Sequence, residues 1–314
     1  MTYRQHAPRT LKNFIAITLL LVGVISNCTL TQAQNALDGL RTGESLGNSL
    51  GIHGLPNLRD IGGYETNDGS TVLKLRTYRS SAFNPISAAD LEKLRTIGLK
   101  NDYDLRSPFE IEERPDIIPP NTRYTDLDVL ASLQNVVLPH TLIGGLLRNP
   151  AVESAKLGGA HGAEMVFINL YRDFVSQPSA RESYRTLFLS VSDPSTSPNV
   201  FHCTNGKDRT GWAAAALLTL LGVPKDKVYE DYLLSNVYLL PQHQKEMDVF
   251  EAQGGDRGIL EAFFGVKSAY LDAAFDEMNK RYGSIEQYFS KGLNISEAEQ
   301  MKIKAYYLSK NPSH

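Results

Sequence analysis

The sequence predicts an α/β domain in which a mostly parallel central sheet is flanked by helices, with a helical C-terminal part. Two observations support this fold class. Short apolar segments typical of strands alternate with helical patterns up to residue 203, and helical patterns dominate from residue 211 onward. Such alternation is typical of a parallel sheet whose faces are covered by helices. A length of 314 residues, of which 42% are apolar, suits one large domain or two small ones.

The N-terminal residues have the pattern of an export signal. Three basic residues, Arg4, Arg9 and Lys12, precede an apolar run over residues 14–25. As a helix this run would span about 18 Å, which is short of the ~30 Å hydrocarbon core of a bilayer. The pattern therefore predicts a secretory signal at residues 1–33 and a secreted or periplasmic protein.

The end of this signal leaves alternatives open. Small residues before position 34 favour cleavage after Ala33, whereas a lipoprotein signal would end at Cys28. An uncleaved membrane anchor is the third alternative. With Cys28 removed or acylated, Cys203 is the only remaining cysteine and has no partner for a disulfide within the chain. Cys203 is then either a working thiol or an inert buried residue.

The remaining elements follow from periodicity and turn residues. Residues 34–54 are rich in glycine and predict a flexible lead-in, and residues 55–310 predict a single folded domain. Ser87 before Asp90 and Ser296 before Glu299 predict helix starts. Strand patterns cover residues 71–78, 99–105, 124–130 and 199–202. Helical patterns cover residues 88–97, 163–175, 180–191, 211–221, 224–238, 266–282 and 296–309.

Residues 131–162 have the least regular pattern of the chain. Glycines interrupt their apolar stretches at positions 144, 145, 158, 159 and 162. We therefore predict an irregular insertion in this region, which could act as a mobile lid.

The residues best suited to chemistry lie in one segment, His202-Cys203-Thr204-Asn205-Gly206-Lys207-Asp208-Arg209-Thr210-Gly211. It joins the last predicted strand to an alanine-rich helix, so unpaired N–H groups of the loop and of the helix start can surround one anion. The predicted phosphate-binding residues of the loop are Thr204, Asn205, Gly206, Lys207 and Arg209. Arg209 can hold two phosphate oxygens, and Gly206 allows the loop to close.

The same positive field predicts an activated thiol at Cys203. An ordinary cysteine has a pKa of ~8.5, whereas thiols at helix N-termini beside cations fall to ~3.5–7.5. Cys203 is therefore a candidate nucleophile. Thr210 can donate its hydroxyl to the sulfur and help it to leave again. His202 is expected to organise the loop through hydrogen bonds rather than to act as a base.

This segment resembles the signature of the protein tyrosine phosphatase superfamily, in which Arg-Thr follows five residues after His-Cys. The longer pattern HCxxGKDRTG is similar to that of the atypical bacterial tyrosine and lipid phosphatases. Further stretches resemble the same group, namely NLRDIGG at residues 57–63, DLRS at residues 104–107 and DYLLSN at residues 231–236. The resemblance covers residues 55–310 and leaves 131–162 unaccounted for.

The resemblance implies a cysteine-dependent phosphomonoester hydrolase that forms a phosphocysteine intermediate on Cys203 and needs no cofactor. It also implies Asp208 as the general acid, because the only tryptophan, Trp212, lies in a predicted helix and not in a Trp-Pro-Asp loop. A bound phosphate dianion would favour the protonated form of Asp208, so we expect activity to favour mildly acidic pH. Asp173 is the rival acid.

The resemblance further implies phosphotyrosine as a substrate, with phosphoinositides as a second class in members that carry the lysine found at position 207. Lys207 either attracts a multiply phosphorylated ring or neutralises Asp208. Arg59, Asp60 and Arg106 either lie near the pocket, as family analogy implies, or form an ion-paired scaffold behind it.

Two other functions stay open. The main activity could be on inositol phosphates or lipids, or the domain could be a non-catalytic phosphate receptor. Intact Cys203, Asp208, Arg209 and Thr210 argue against a receptor, because binding alone does not require a thiol. A formal net charge of −3 without a basic run argues against nucleic acid as a partner. No residues have metal-ligand spacing, so no metal is expected.

Overall fold

A computed structural model describes residues 47–133 and 139–309. The signal predicted at residues 1–33, its alternative end at Cys28 and most of the predicted lead-in lie outside the described residues. Within the described part of the chain, no helix combines the length and apolar character needed to cross a membrane.

One sheet forms the centre of the described domain. Its strands are β1 (Arg59–Asp60), β2 (Thr77–Ser81), β3 (Asn101–Asp104), β4 (Arg123–Asp126) and β5 (Asn199–Cys203). They lie in the order β1-β2-β5-β3-β4. β2, β5, β3 and β4 run parallel, and β1 pairs antiparallel with β2. The predicted α/β fold with a mostly parallel sheet is confirmed.

The strand register brings the carboxyl ends of three strands together. β5 lies between β2 and β3, with Cys203 opposite Ser81 and His202 opposite Asp104. In open parallel sheets, ligands bind outside the carboxyl ends of the strands. The segments that follow β2, β3 and β5 therefore share one edge, and the cysteine lies in the middle of it.

Helices cover both faces of the sheet. They are α1 (Ala88–Ile97), α2 (Pro108–Glu113), α3 (Pro139–Arg148), α4 (Pro150–Leu157), α5 (Gly159–Ser176), α6 (Pro178–Val191), α7 (Arg209–Leu220), α8 (Lys225–Ala252), α9 (Arg257–Phe264), α10 (Ser268–Tyr282), α11 (Ile285–Gln287) and α12 (Glu297–Tyr307). A 3₁₀ turn (Pro194–Thr196) precedes β5, and a π turn (Tyr288–Gly292) follows α11.

Two helix starts predicted from capping residues are confirmed. The Ser87 hydroxyl accepts a hydrogen bond from the amide of Asp90, and α1 ends at Gly98 with φ of 70°. Ser296 and Glu299 form a reciprocal capping box at the start of α12. These local pairs satisfy backbone N–H groups that the first turn of a helix leaves unpaired.

The strand predicted over residues 71–78 is mostly wrong. Only its last two residues belong to β2, and Thr71 and Val72 form isolated bridges. The physical reason is Leu75, whose φ of 64° is left-handed and interrupts an extended backbone. Its amide donates to the carboxylate of Asp60 at 2.6 Å, which stabilises the turn.

The irregular course predicted for residues 131–162 is also wrong where the structure describes it. Residues 139–148 and 150–157 form α3 and α4, and α5 starts at residue 159. Gly158 ends α4 with φ of 84°, so this glycine marks a helix boundary and not a loop. A lid movement of these helices stays a prediction.

Two apolar clusters hold the layers together. The larger cluster packs one face of the sheet, including Tyr103 and Phe201, against α5, α6 and α7. The smaller one packs Tyr78 and Val200 of the opposite face against α1 and the segment before β1. Adjacent residues of β5 thus point into different clusters, as the alternation of side chains along a strand requires.

Candidate active site

Residues 204–208 form a tight loop between β5 and α7, and Gly206 is essential to its shape. Gly206 has φ of +66°, and a Cβ atom there would lie 2.1 Å from the carbonyl oxygen of Ser80. No other residue fits without moving the strand beside it. The side chain of Asn57 donates to the carbonyl oxygens of Asn205 and Gly206, both at 3.0 Å. The loop is therefore closed by a glycine and held from outside by an amide side chain.

The interior of this loop is suited to an anion. The amide N–H groups of Thr204–Asp208 have no acceptor among the described residues. The loop leads directly into α7, whose N-terminus adds the positive end of a helix dipole. The same loop therefore offers main-chain donors and a favourable potential to one oxyanion.

Cys203 lies at the base of the loop and is 2% exposed. Burial by itself would raise the pKa of its thiol, but the positive charge of Arg209 and hydrogen bonds from Thr210 lower it below the ordinary value. The Thr210 hydroxyl is buried and has no oxygen or nitrogen partner among the described residues. The environment thus favours a thiolate, the reactive form of cysteine.

Arg209 is held by a carboxylate that sequence reasoning missed. Its two terminal nitrogens donate to the two oxygens of Glu110, each at 2.7 Å. Burial would raise the pKa of Glu110, but the charge of Arg209 and its hydrogen bonds hold it well below the usual range. Nε of Arg209 has no partner in the described part of the chain. The guanidinium is therefore fixed in direction and retains a free N–H for an oxyanion.

The sequence around Glu110 contains a pattern for a helix start. Glu110 is the third residue of α2 and forms a capping box with Ser107, the last residue of the DLRS stretch. A Ser-x-x-Glu pattern indicates a helix start, but it does not show that the same carboxylate also reaches an arginine 99 residues away.

Lys207 and Asp208 form an ion pair within the loop. Lys207 Nζ lies 3.0 Å from Oδ1 and 2.9 Å from Oδ2 of Asp208. Lys207 is buried, with Nζ 4.5 Å from the ring centre of Phe167, whereas the side chain of Asp208 is 17% exposed. Of the two roles considered for Lys207, this geometry favours neutralisation of Asp208.

A second charged cluster lies behind the loop. Arg59 and Arg79 both bind the carboxylate of Asp231, at 3.1 and 2.6 Å, and these side chains are at most 1% exposed. Arg79 also donates to the carbonyl oxygen of Gly206 at 2.9 Å. Burial would raise the pKa of Asp231, but the two guanidinium groups lower it. Arg59 is thus part of a scaffold, and Arg79 is a supporting residue that sequence reasoning missed.

The other two predicted supporting residues are also occupied by contacts within the protein. The carboxylate of Asp60 accepts hydrogen bonds from the amides of Gly62 and Leu75, away from the loop. Arg106 lines the cavity wall, but it binds Asp104 and Asp116 at 2.7 and 2.6 Å. Arg106 therefore shapes the wall of the site, whereas Asp60 stabilises the turn at Leu75 and does not line the cavity.

His202 lies beneath the loop in a buried cluster of carboxylates. Its Nδ1 is 3.3 Å from the carbonyl oxygen of Cys203, and its Nε2 is 3.2 Å from Asp102 and 3.3 Å from Asp116. Burial would lower the pKa of His202, but Asp102 and Asp104 raise it well above the ordinary value. Asp102, Asp116 and His202 are close enough to share a cation. The raised pKa of His202 favours a protonated imidazole, and a protonated imidazole has no lone pair for a metal.

A cavity of about 470 Å³ opens above the loop. Cys203, Asp208 and Arg209 lie on its floor. The apolar part of its walls comes from α3, α5 and α9, namely Ile143, Leu147, Phe167, Leu170, Phe174, Phe263 and Phe264, and the charged and polar part includes Glu113, Arg114, His243 and Glu246. Asp173, the rival acid, is not among the lining residues and accepts a hydrogen bond from Gln177, the residue that follows its helix.

Comparison with known proteins identifies a family. The family model described as the tyrosine phosphatase family matches residues 50–309. The chain is 28% identical over 260 residues to a protein of Cupriavidus necator that is provisionally named a tyrosine-protein phosphatase, covering 83% of this chain and 88% of that protein. It is 27% identical over 232 residues to the tyrosine-protein phosphatase of Nostoc commune, covering 72% of each chain.

A third relative is the triple specificity protein phosphatase PtpB of Mycobacterium tuberculosis. The identity is 26% over 282 residues, covering 82% of this chain and 98% of PtpB. The relatives are named as phosphatases, in agreement with a thiol poised beneath an oxyanion loop. The match over residues 50–309 includes the sheet, the loop after β5 and every side chain that surrounds it, and the chain therefore belongs to the tyrosine phosphatase family and is a phosphatase.

Proposed function

We propose that the protein hydrolyses phosphate monoesters through a phosphocysteine intermediate on Cys203. The observation that carries this proposal is the lowered pKa of the Cys203 thiol within a loop of unpaired amides beside Arg209. A thiolate needs no general base, so the loop supplies both the nucleophile and the binding site for the group that it attacks.

The reaction divides into two balanced steps. The Cys203 thiolate attacks phosphorus, the ester P–O bond breaks, and Asp208 gives its proton to the leaving oxygen. Water then attacks the phosphocysteine, Asp208 takes a proton from it, and the P–S bond breaks with its electron pair returning to sulfur. The Thr210 hydroxyl stabilises that sulfur as it leaves. Asp208 supports this double role because it borders the cavity and is partly exposed.

Arg209 supports the transition state rather than only the substrate. Glu110 orients the guanidinium from one side, and the unpaired Nε–H is available to the equatorial phosphate oxygens. Because the donor is positioned before the reaction, little reorganisation is needed as charge develops on those oxygens.

We propose phosphotyrosine as the main substrate. Part of the cavity wall is aromatic and aliphatic, which suits a phenyl ring between phosphate and peptide. Its cations are largely neutralised: Lys207 binds Asp208, Arg209 binds Glu110, and Arg106 binds two carboxylates. In the described part of the chain, Arg114 is the only cavity cation without a carboxylate partner. A multiply phosphorylated ring would therefore gain less here than a single phosphate on an apolar group.

Phosphoinositides and phosphoserine peptides are the second candidate substrates, and the words "triple specificity" in the name of PtpB favour more than one substrate class. Release of inorganic phosphate from a phosphotyrosine peptide, a phosphoserine peptide, a phosphoinositide and an inositol phosphate would rank the four classes. We expect the phosphotyrosine peptide to have the highest kcat/KM. A higher value for the inositol phosphate would overturn the substrate proposal while leaving the mechanism intact.

Trapping the intermediate tests the mechanism. An acid quench during turnover of a ³²P-labelled phosphotyrosine peptide is expected to leave label on the protein, and mass spectrometry is expected to locate it at Cys203. Cys203→Ser is expected to lose turnover, by roughly 10⁴-fold or more, and to keep tungstate binding. Turnover that survives in Cys203→Ser, or label on another residue, would overturn the proposal.

We also propose that the protein is exported, on the basis of the basic and apolar residues at its N-terminus. Fractionation of the native cells is expected to recover a shortened chain outside the cytoplasm, beginning after Ala33 or acylated at Cys28. Full-length protein in the cytoplasm would contradict this proposal.

A further inference from the structure

Two buried tyrosines from different helices form a chain of hydroxyl groups that ends at Asp208. Tyr232 on α8 donates to Tyr171 on α5, with 2.7 Å between the oxygens. Tyr171 donates to Oδ1 of Asp208 at 3.1 Å. We infer that Tyr171, held by Tyr232, is a positioning residue that fixes Oδ1 of Asp208, so that Oδ2, which lies 2.9 Å from Lys207 Nζ, is the oxygen that carries the transferred proton. This inference rests on the proposed role of Asp208 as the acid.

The orientation of Asp208 is unusual for its place in the fold. Asp208 is the N-cap residue of α7, yet its side chain makes no capping hydrogen bond. An aspartate at this position ordinarily turns its carboxylate back onto the amides of the first helical turn. Here Tyr171 and Lys207 bind the carboxylate instead, and Asp208 borders the cavity. The helix therefore lacks a side-chain cap, and the carboxylate is held at the cavity, where it can reach a leaving group.

The chain of hydroxyl groups has a fixed direction. Both tyrosines are fully buried. Burial raises the pKa of Tyr171 and of Tyr232 well above the ordinary value, so both keep their protons at working pH. Because Tyr232 donates to the oxygen of Tyr171, the proton of Tyr171 is free to point at Asp208.

This hydrogen bond becomes stronger as the reaction proceeds. When Oδ2 of Asp208 gives its proton to the leaving oxygen, the P–O electron pair stays on that oxygen and Asp208 becomes a carboxylate. Hydrogen bonds to charged groups are about twice as strong as those to neutral groups. Tyr171 therefore stabilises the state after proton transfer more than the state before it, which lowers the barrier.

The packing around Tyr232 connects two motifs that are far apart in sequence. Gly211 is the third residue of α7, and a Cβ atom at this position would lie 2.9 Å from the ring of Tyr232. A larger residue there would displace Tyr232 from Tyr171. Gly211 and Tyr232 thus both help to position the carboxylate of Asp208.

Tyr171→Phe tests the inference through its dependence on the leaving group. Phenyl phosphate has a poor leaving group that needs the acid, whereas p-nitrophenyl phosphate has a good one that hardly needs it. We expect kcat for phenyl phosphate to fall about tenfold and kcat for p-nitrophenyl phosphate to change by less than about threefold. Tyr232→Phe is expected to act in the same direction with a smaller effect.

Tyr270→Phe is the matched control. The Tyr270 ring packs 5.8 Å from that of Tyr171, but its buried hydroxyl has no partner among the described residues. Loss of this hydroxyl is expected to leave the rates with both substrates unchanged. A drop in Tyr270→Phe equal to that in Tyr171→Phe would assign the effect to packing and overturn the inference.

Asp208→Asn, measured in parallel, separates this inference from the proposed function. If Asp208→Asn slows both substrates equally, the acid role itself fails. If Asp208→Asn is selective for phenyl phosphate and Tyr171→Phe is not, only the positioning role fails. Should Tyr171→Phe not fold, Tyr232→Phe carries the test, and equal losses on both substrates would overturn the inference.

Discussion

Two arginine–carboxylate clusters lie on opposite sides of the phosphate loop and differ in what their hydrogen bonds contact. Behind the loop, Arg59 and Arg79 share Asp231, and none of these side chains is more than 1% exposed. In front of it, Arg209 binds Glu110, with 10% and 6% of these side chains exposed. Arg79 donates to the loop backbone, whereas Arg209 lines the cavity and its Nε has no partner among the described residues.

This difference distinguishes arginines that support the loop from the arginine that can bind a ligand. Nε of Arg79 also has no partner in the described part of the chain, but this atom is buried and Arg79 does not line the cavity, so its charge can only hold neighbouring groups in place. Arg209 lines the cavity, so its unused donor can bind a ligand there. The rear cluster, Arg59, Arg79 and Asp231, therefore determines whether the loop forms. The front cluster, Arg209 and Glu110, determines how the formed loop binds a ligand.

The largest expected effect is on stability, from Asp231→Asn. This change leaves two buried guanidinium groups beside a neutral side chain, and unbalanced buried charge costs about 3–5 kcal/mol. We expect a loss of that size in the free energy of unfolding, measured with denaturant. Asp226→Asn, at an exposed site on the same helix, is the control and should cost no more than about 1 kcal/mol. Similar losses in both variants would abolish the distinction between the clusters.

Arg209→Lys probes the front cluster. The lysine ammonium keeps the positive charge opposite Glu110, but it lacks the planar guanidinium that binds both Glu110 oxygens and still has an N–H for phosphate. We therefore expect kcat/KM to fall by on the order of 10²–10³. Unfolding free energy should change by less than about 1.5 kcal/mol, since the ion pair is kept. Arg114→Lys, at the exposed rim of the same cavity, should lower kcat/KM by less than about threefold. A large loss of stability with unchanged kinetics would reverse the assignment.

The sequence could predict the phosphate loop better than the side chains that hold it. The loop residues and the start of α7 are contiguous, so spacing alone placed Cys203 and Arg209 together. Glu110 on α2 contacts Arg209, 99 residues away in sequence, and Arg79 on β2 contacts Gly206, 127 residues away. Their side chains carry no local sign of this contact, and only the strand order brings them to it.

The fold was likewise predictable where local sequence patterns determine it, and not where contacts between distant residues do. The parallel sheet and the main helices follow from local periodicity, whereas the course of the chain after residue 238 does not. A proline at position 241 argues for a helix end, yet α8 continues through it to residue 252. Buried Leu239, Met247 and Phe250 indicate that packing outweighs the lost backbone hydrogen bond. The helix α9 was missed for lack of a long enough pattern.

Thr210→Val gives a smaller effect that links the loop to the thiol. The lowered pKa of Cys203 means that the thiolate persists at pH values where an ordinary thiol is protonated, so iodoacetate should still react below pH ~8.5. Without the Thr210 hydroxyl, the midpoint of alkylation is expected to move upward by about one pH unit. Thr219→Val is the matched control, because that hydroxyl binds Ala215 on the same helix. An unmoved midpoint in Thr210→Val would leave Arg209 and the amides as the sole source of the lowered pKa.

The smallest expected effect, from Asp173→Asn, decides between the two candidate acids. Asp173 is half-buried on α5, its Oδ1 accepts a hydrogen bond from Gln177 at 3.0 Å, and it does not line the cavity. A proton on Asp173 therefore has no direct route to a leaving oxygen above Cys203. We expect kcat for phenyl phosphate to change by less than about twofold, because a carboxylate that does not line the cavity contributes little to the reaction. A selective loss with this substrate, absent with p-nitrophenyl phosphate, would move the acid role to α5 and would require that helix to shift toward the loop during turnover.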